Sequence, residues 1–146
     1  HLWLAVNADF FKEDEMDLRF FYCKHCNKII AMVKDSGTPT ICCGDEMIEL
    51  IPSATDGAVE KHVPIIRVEG NLVTVTVGSK NHPMEAQHYI EWILLQTNHG
   101  IQKKWLKPGQ EPKADFAIFT GEKVEAAYEY CNIHQLWKSD SIKKIS

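Results

Sequence analysis

Four of the five cysteines fall between positions 23 and 43, as Cys23-Lys24-His25-Cys26 and then Cys42-Cys43-Gly44. This clustering limits what the first part of the chain can become. Phe20, Phe21 and Tyr22 lead into the first pair, Ile29 to Val33 is a β-prone run, and Ser36-Gly37-Thr38-Pro39 is a turn cluster. A second short apolar run, Met47 to Ile51, closes the segment 16–51. A unit of about 35 residues buries too little apolar surface to be stable alone, and a bound metal is the usual remedy. A C-x2-C turn points backbone amides at two sulfurs that face one ion, and four thiolates in a tetrahedron suit zinc or iron equally. Adjacent Cys42 and Cys43 should open the S–metal–S angle and distort that tetrahedron. A plain zinc staple fits the spacing as well as a redox iron does. A vicinal Cys42–Cys43 disulfide fits worst, because it strains the linking peptide. His25, inside the knuckle, reads as a solvent-facing loop residue.

The 146-residue chain fits one domain, or a small one joined to a medium one. Its composition, 45% hydrophobic and 25% charged, is that of a soluble globular protein. A net charge of −4 argues against nucleic acid as the main partner. No apolar run approaches the roughly 18 residues of a membrane span, so no membrane partner is expected. No basic-then-apolar leader opens the sequence, so the expected location is cytoplasmic. A reducing compartment makes metal ligation the better reading of the cysteines. Residues 1–15 are a mixed apolar-acidic stretch before Met16 and read as an N-terminal extension or vector-derived segment.

Residues 52–146 read as mostly β. Val73, Val75 and Val77 alternate with Thr74 and Thr76, the period of a half-buried strand. Tyr89 to Leu95, Phe116 to Phe119 and Val124 to Tyr130 are further strands, with turns at Gly70-Asn71, Asn98-His99-Gly100 and Lys107-Pro108-Gly109. This spacing predicts a sandwich or Greek-key barrel. Short helical turns are expected near Asp56 to Lys61 and near His134.

A second group of donors lies in this part: His62, His82, His88, and the C-x2-H pair Cys131 and His134. Imidazoles with one thiolate suit iron, copper or zinc. Four nitrogens and a sulfur exceed what tetrahedral zinc needs and imply a square-pyramidal iron with one open position. Each histidine alone is more often a surface or core residue, as His1 and His99 are expected to be, so spacing does not join the five.

Five segments in order resemble desulfoferrodoxin, the two-iron superoxide reductase family, from about Met16 to Lys138. They are Tyr22-Cys23-Lys24-His25-Cys26, Cys42-Cys43-Gly44, Glu60-Lys61-His62-Val63-Pro64, His82-Pro83-Met84 through His88-Tyr89-Ile90-Glu91-Trp92, and Cys131-Asn132-Ile133-His134 through Leu136-Trp137. The resemblance implies a mainly β chain: a desulforedoxin-like domain at 16–51 with a four-cysteine iron, then an immunoglobulin-like β-sandwich at 52–146 with a second iron. It implies two mononuclear irons, one on Cys23, Cys26, Cys42 and Cys43. The other would have His62, His82, His88 and His134 as equatorial ligands and Cys131 as the axial one. It also implies Glu60 as a resting sixth ligand of the ferric state and Lys61 as the charge beside the open face. The implied activity is reduction of superoxide to hydrogen peroxide, with a small redox protein such as rubredoxin as electron donor, in a homodimer. A closed electron-transfer protein and a zinc-stapled binding module are the alternatives. The sequence departs from the family at Gln135, where glycine is usual.

A thiolate on ferric iron gives a strong charge-transfer colour. Cys131→Ser is therefore expected to bleach the second site and remove most reductase activity while leaving the first site coloured. An absorption spectrum identical to the parent's would strike Cys131 from the ligand set.

Overall fold

The computed structural model describes residues 18–56 and 61–146. The proposed extension at 1–15 and the Glu60 assignment lie outside the described residues. The chain divides into two compact units, His1–Ile51 and Pro52–Ser146. The described residues form strands, turns and loops, and no helix long and apolar enough to cross a membrane is found among them.

The first unit holds β1 (Phe20–Tyr22), β2 (Ile29–Ala31), β3 (Ile41–Cys42), β4 (Asp45–Glu46) and β5 (Ile48–Leu50). Strands β2, β1 and β5 form an antiparallel sheet, and β3 pairs with β4. The hydrophobic interior is small, with Phe20, Cys23, Met47 and Leu50 as its buried members. Arg19 spans Asp35 at 2.7 Å and Glu49 at 2.8 Å across the surface.

The second unit is a sandwich of two four-stranded sheets. One is ordered β10 (Lys113–Ala117), β7 (Leu72–Val77), β6 (Pro64–Glu69), β13 (Ile142–Ile145). The other is ordered β12 (Gln135–Ser139), β11 (Val124–Cys131), β8 (Ile90–Thr97), β9 (Gly100–Trp105). Pairing is antiparallel except for β13, which runs parallel to β6 and covers its edge. The Val-Thr alternation of β7 turns Val73, Val75 and Val77 inward, each 0% exposed. They meet Ile66, Ile90, Ile93, Leu95, Phe116 and Ala127 in one core cluster. Burying a side chain of this size contributes about 1.5–3 kcal/mol. Cys131, at the end of β11, belongs to the same cluster.

Two local expectations differ from the structure. The strand expected at Phe116 to Phe119 runs instead over Lys113–Ala117, and Phe119 is 78% exposed in the loop after it. Residues 132–134 form a turn rather than a helix, because β12 starts at Gln135 and pairs straight back onto β11. Of the helical turn expected at Asp56 to Lys61, residues 57–60 lie outside the described residues.

That tight reversal places Gln135 at φ +65°, in the left-handed region. A residue with a Cβ there costs about 1–2 kcal/mol, whereas glycine adopts it freely but loses more entropy on folding. Gln135→Gly is expected to stabilise the Pro52–Ser146 unit by roughly 0.5–1 kcal/mol net, raising its thermal midpoint by a few degrees. A midpoint at or below the parent's would contradict this.

Candidate metal centres

The first centre is built from two turns. The Cys23 amide donates to the Lys28 carbonyl and the Asn27 amide donates to the Cys23 carbonyl, each at 2.9 Å, closing the knuckle between β1 and β2. Strands β3 and β4 are joined by Cys43 at φ +53° and Gly44 at φ +81°, the two left-handed residues of a type I′ hairpin turn. Glycine meets that requirement without strain, and Cys43 accepts it so that its thiol can join its neighbour's. Cys26 Sγ and Cys42 Sγ lie 3.8 Å apart, and Cys42 Sγ and Cys43 Sγ 3.9 Å apart, all as free thiols. Backbone amides, that of Cys26 foremost and then that of His25, pull the Cys23 thiol down to about 6. Sharing hydrogen bonds with the sulfurs of Cys26, Cys23 and Cys42 pushes the Cys43 thiol up to about 12. Four thiolates therefore ionise together only around a cation, and the donor set suits tetrahedral zinc or iron. His25 is exposed, with Nε2 2.5 Å from Asp45 Oδ2, as a loop residue outside the thiol cluster.

The second centre gathers His62, His82, His88, Cys131 and His134, whose donor atoms all lie within 4.8 Å of one another. Four segments meet at one end of the sandwich: the lead into β6, the β7–β8 connection, the end of β11, and the β11–β12 turn. His62 Nε2 and His134 Nδ1 are 3.0 Å apart, and Cys131 Sγ lies 3.9 Å from His134 Nδ1. The rings of His62 and His82, and of His82 and His88, meet edge to face with centroids 4.7 and 4.8 Å apart. His82 Nδ1 contacts the Pro83 carbonyl at 2.7 Å, which fixes the proton on that nitrogen and leaves Nε2 as the ligand atom. Four neutral imidazoles and one soft thiolate fit an iron with one position to spare better than a closed tetrahedral site.

Several residues without a donor role hold this arrangement. Asp56 Oδ1 accepts the backbone amides of His62 at 2.5 Å and Val63 at 3.0 Å. Trp137 stacks on the His62 ring at 4.6 Å and donates its Nε1–H to the His134 carbonyl at 3.0 Å. Glu85 and His88 exchange backbone hydrogen bonds of 2.9 and 3.0 Å, which pins the His88 turn. Glu129, fully buried on β11, has its carboxyl pushed up to about 9 by burial, with the charge of Asp56 adding to the effect. Sequence reasoning missed these residues. An acid two positions before Cys131, in a strand whose one other charge is Glu125, was the visible signal.

Gly78 has the tightest surroundings. At φ +81°, a Cβ there would sit 2.3 Å from the Lys61 carbonyl oxygen and 2.7 Å from that of Lys80. Its amide donates to the Val63 carbonyl at 3.3 Å. The hydrogen atom of Gly78 thus lets the His62 and His82 segments close on each other.

A two-unit metalloprotein with a four-thiol centre, and a β-sandwich bearing a four-histidine, one-cysteine centre at one end, is the class defined by this architecture. Residues 54–140 match the desulfoferrodoxin family, and the chain belongs to it. It is 45% identical over 122 residues to a desulfoferrodoxin homolog of Archaeoglobus fulgidus, covering 84% of this chain and 96% of that one. It is 44% identical over 121 residues to the desulfoferrodoxin of Nitratidesulfovibrio vulgaris, covering 83% and 94%. The crystal structure of the superoxide reductase from Treponema pallidum superposes with a TM-score of 0.73 at 35% identity, covering 84% of this chain and 98% of that one.

Gly78→Ala should force the Lys61 and Lys80 backbones apart and weaken metal binding at the second centre by about 10–100-fold, the range seen when support around a ligand is lost. The four-thiol centre should keep its metal. Metal analysis of the purified variant checks this, and full loading of both centres would show that the packing around Gly78 is not what sets the site.

Proposed function

We propose that this chain is a superoxide reductase, reducing superoxide to hydrogen peroxide with one electron and two protons. The observation that carries this reading is the convergence of four imidazoles and one thiolate within 4.8 Å at one end of the sandwich. His62, His82, His88, Cys131 and His134 would hold an iron that supplies the electron, and Cys23, Cys26, Cys42 and Cys43 would hold the second iron.

Charge decides which centre takes the substrate. The first centre offers four thiolates, so an iron held there would remain net negative and would repel an anion. The second ligand set carries one negative charge against a divalent ion, which leaves a net positive site that attracts an anion. Cys131 would supply the one anionic, electron-donating ligand to an iron held there, a donor that would favour release of peroxide with its O–O bond intact. Lys61, directly before His62, draws in the anion and orders water for proton delivery. Glu60 would serve as the resting carboxylate for the oxidised centre between turnovers. A small redox protein such as rubredoxin returns the electron, and the working unit is a cytoplasmic homodimer.

Metal analysis with an optical spectrum tests the assignment. Two irons per chain, with a visible band that shifts on adding small anions, are expected. Zinc without colour would leave a stapled binding module, and an anion-insensitive iron would leave an electron carrier.

The steering role of Lys61 has its own test. The chain carries −4 and its substrate is an anion, so a local cation must offset long-range repulsion. Lys61→Ala is expected to lower the second-order rate with pulse-generated superoxide by about tenfold. Salt should slow the parent, since a Debye length of about 10 Å at 0.1 M screens the attraction, and should slow the variant much less. Equal rates and equal salt slopes would remove Lys61 from the mechanism.

A further inference from the structure

Asn132 stands between two donor residues, Cys131 and His134, and every hydrogen bond it makes runs to the segment carrying a third. Its Oδ1 accepts the Tyr89 amide at 2.9 Å, and its Nδ2 donates to the Gln87 carbonyl at 3.0 Å. Its own backbone amide donates to the Tyr89 carbonyl at 3.2 Å. Residues 87 and 89 flank His88. The side-chain amide can satisfy both partners in one orientation only, because a flip would face NH2 to N–H and oxygen to oxygen.

The position of this clamp matters because the regular ladder fails at that point. Strands β8 and β11 pair in register from Ala126↔Gln96 to Tyr130↔Trp92, then slip, with Cys131 opposite Ile90. A bulge leaves the last residues of a strand without evenly spaced ladder bonds and turns its side chains. Beyond it, Asn132 continues the pairing by supplying a side-chain acceptor and donor where strand backbone would otherwise stand. The turn holding Cys131 and His134 is thereby tied to the turn holding His88, which Glu85 already pins from the other side.

We propose that Asn132 is a positioning residue of the second centre, whose amide sets the placement of His88 relative to the Cys131 thiolate. The inference rests on reading that centre as a metal site. Donor atoms that repel one another drift apart when the backbone between them is loosened, and supporting groups of this kind typically change metal affinity by about 10–100-fold.

Asn132→Leu keeps the size and removes both side-chain bonds. Asn132→Asp keeps the acceptor for Tyr89 and sets an oxygen against the Gln87 carbonyl. Both are made in the full chain and loaded with iron, and separately with cobalt(II) as a probe of thiolate ligation. The parent should bind cobalt with a thiolate charge-transfer band. In both variants, affinity at the second centre, measured against a competing chelator, should fall about 10–100-fold and the band should shift. The four-thiol centre of the same molecules is the internal control and should be unchanged. Hydrogen exchange at the Tyr89 amide should accelerate in the leucine variant and stay slower in the aspartate variant, an ordering that general loosening of the sandwich would not produce. Parent-like affinity with an unshifted band in either variant overturns the clamp while leaving the metal site standing. A parent that binds no metal through Cys131 overturns the site itself and the clamp with it.

Discussion

Lone pairs and negative sulfurs repel, and the described residues hold nine such donors in two tight groups. Everything else in the structure can be read as the means of resisting that repulsion. In the first unit the means are local: a knuckle closed by two backbone hydrogen bonds and a hairpin turn whose left-handed residues aim adjacent thiols inward. A unit with so few buried side chains has little other cohesion, so the metal and the fold stabilise each other. In the second unit the means are global. Cys131 is a member of the hydrophobic core, and the strands that end at that pole bring the histidines to it. Backbone-directed groups, Asp56 on His62 and Glu85 on His88, then fix the approach of those two imidazoles.

The two solutions lead to different chemistry because of charge and saturation. Four thiolates fill a tetrahedron and repel anions, which suits an ion that stores an electron or simply staples. A single thiolate among neutral rings leaves positive charge and an unused position, which suits an ion that meets an anionic substrate. Placing the one anionic ligand in the core, fully buried, also keeps protons and water from competing for its sulfur.

Much of this was legible in the amino-acid order where a residue's role depends on its own type and spacing. The Val-Thr alternation of β7 and the apolar run of β8 announced their strands. The C-x2-C and Cys-Cys pairs announced a four-thiol cluster. Strand β9 was not announced, because Gly100-Ile101-Gln102-Lys103-Lys104-Trp105 is an exposed edge with no buried face to impose alternation. Strand β13 was silent for a similar reason, since it pairs on one side only, against β6. The five donors of the second centre come from four segments, so no single spacing could join them without the family resemblance. Asp56, Gly78 and Asn132 stayed hidden for a deeper reason. They act on backbone atoms of distant residues, and backbone atoms leave no trace in a sequence of side chains.

All donors of the sandwich gather at one pole, and the hairpin turns at Gly70-Asn71 and Asn98-His99, with the sheet-to-sheet turn at Thr120-Gly121, lie at the other, a strand's length away. Long insertions in such turns cost little closure entropy, because that cost grows only with the logarithm of loop length. The distal pole is therefore the natural handle of the sandwich. Tethers, reporter groups or an electrode linker attached there would leave the reacting end and its supporting hydrogen bonds untouched, so the sandwich can be immobilised with its chemistry facing outward.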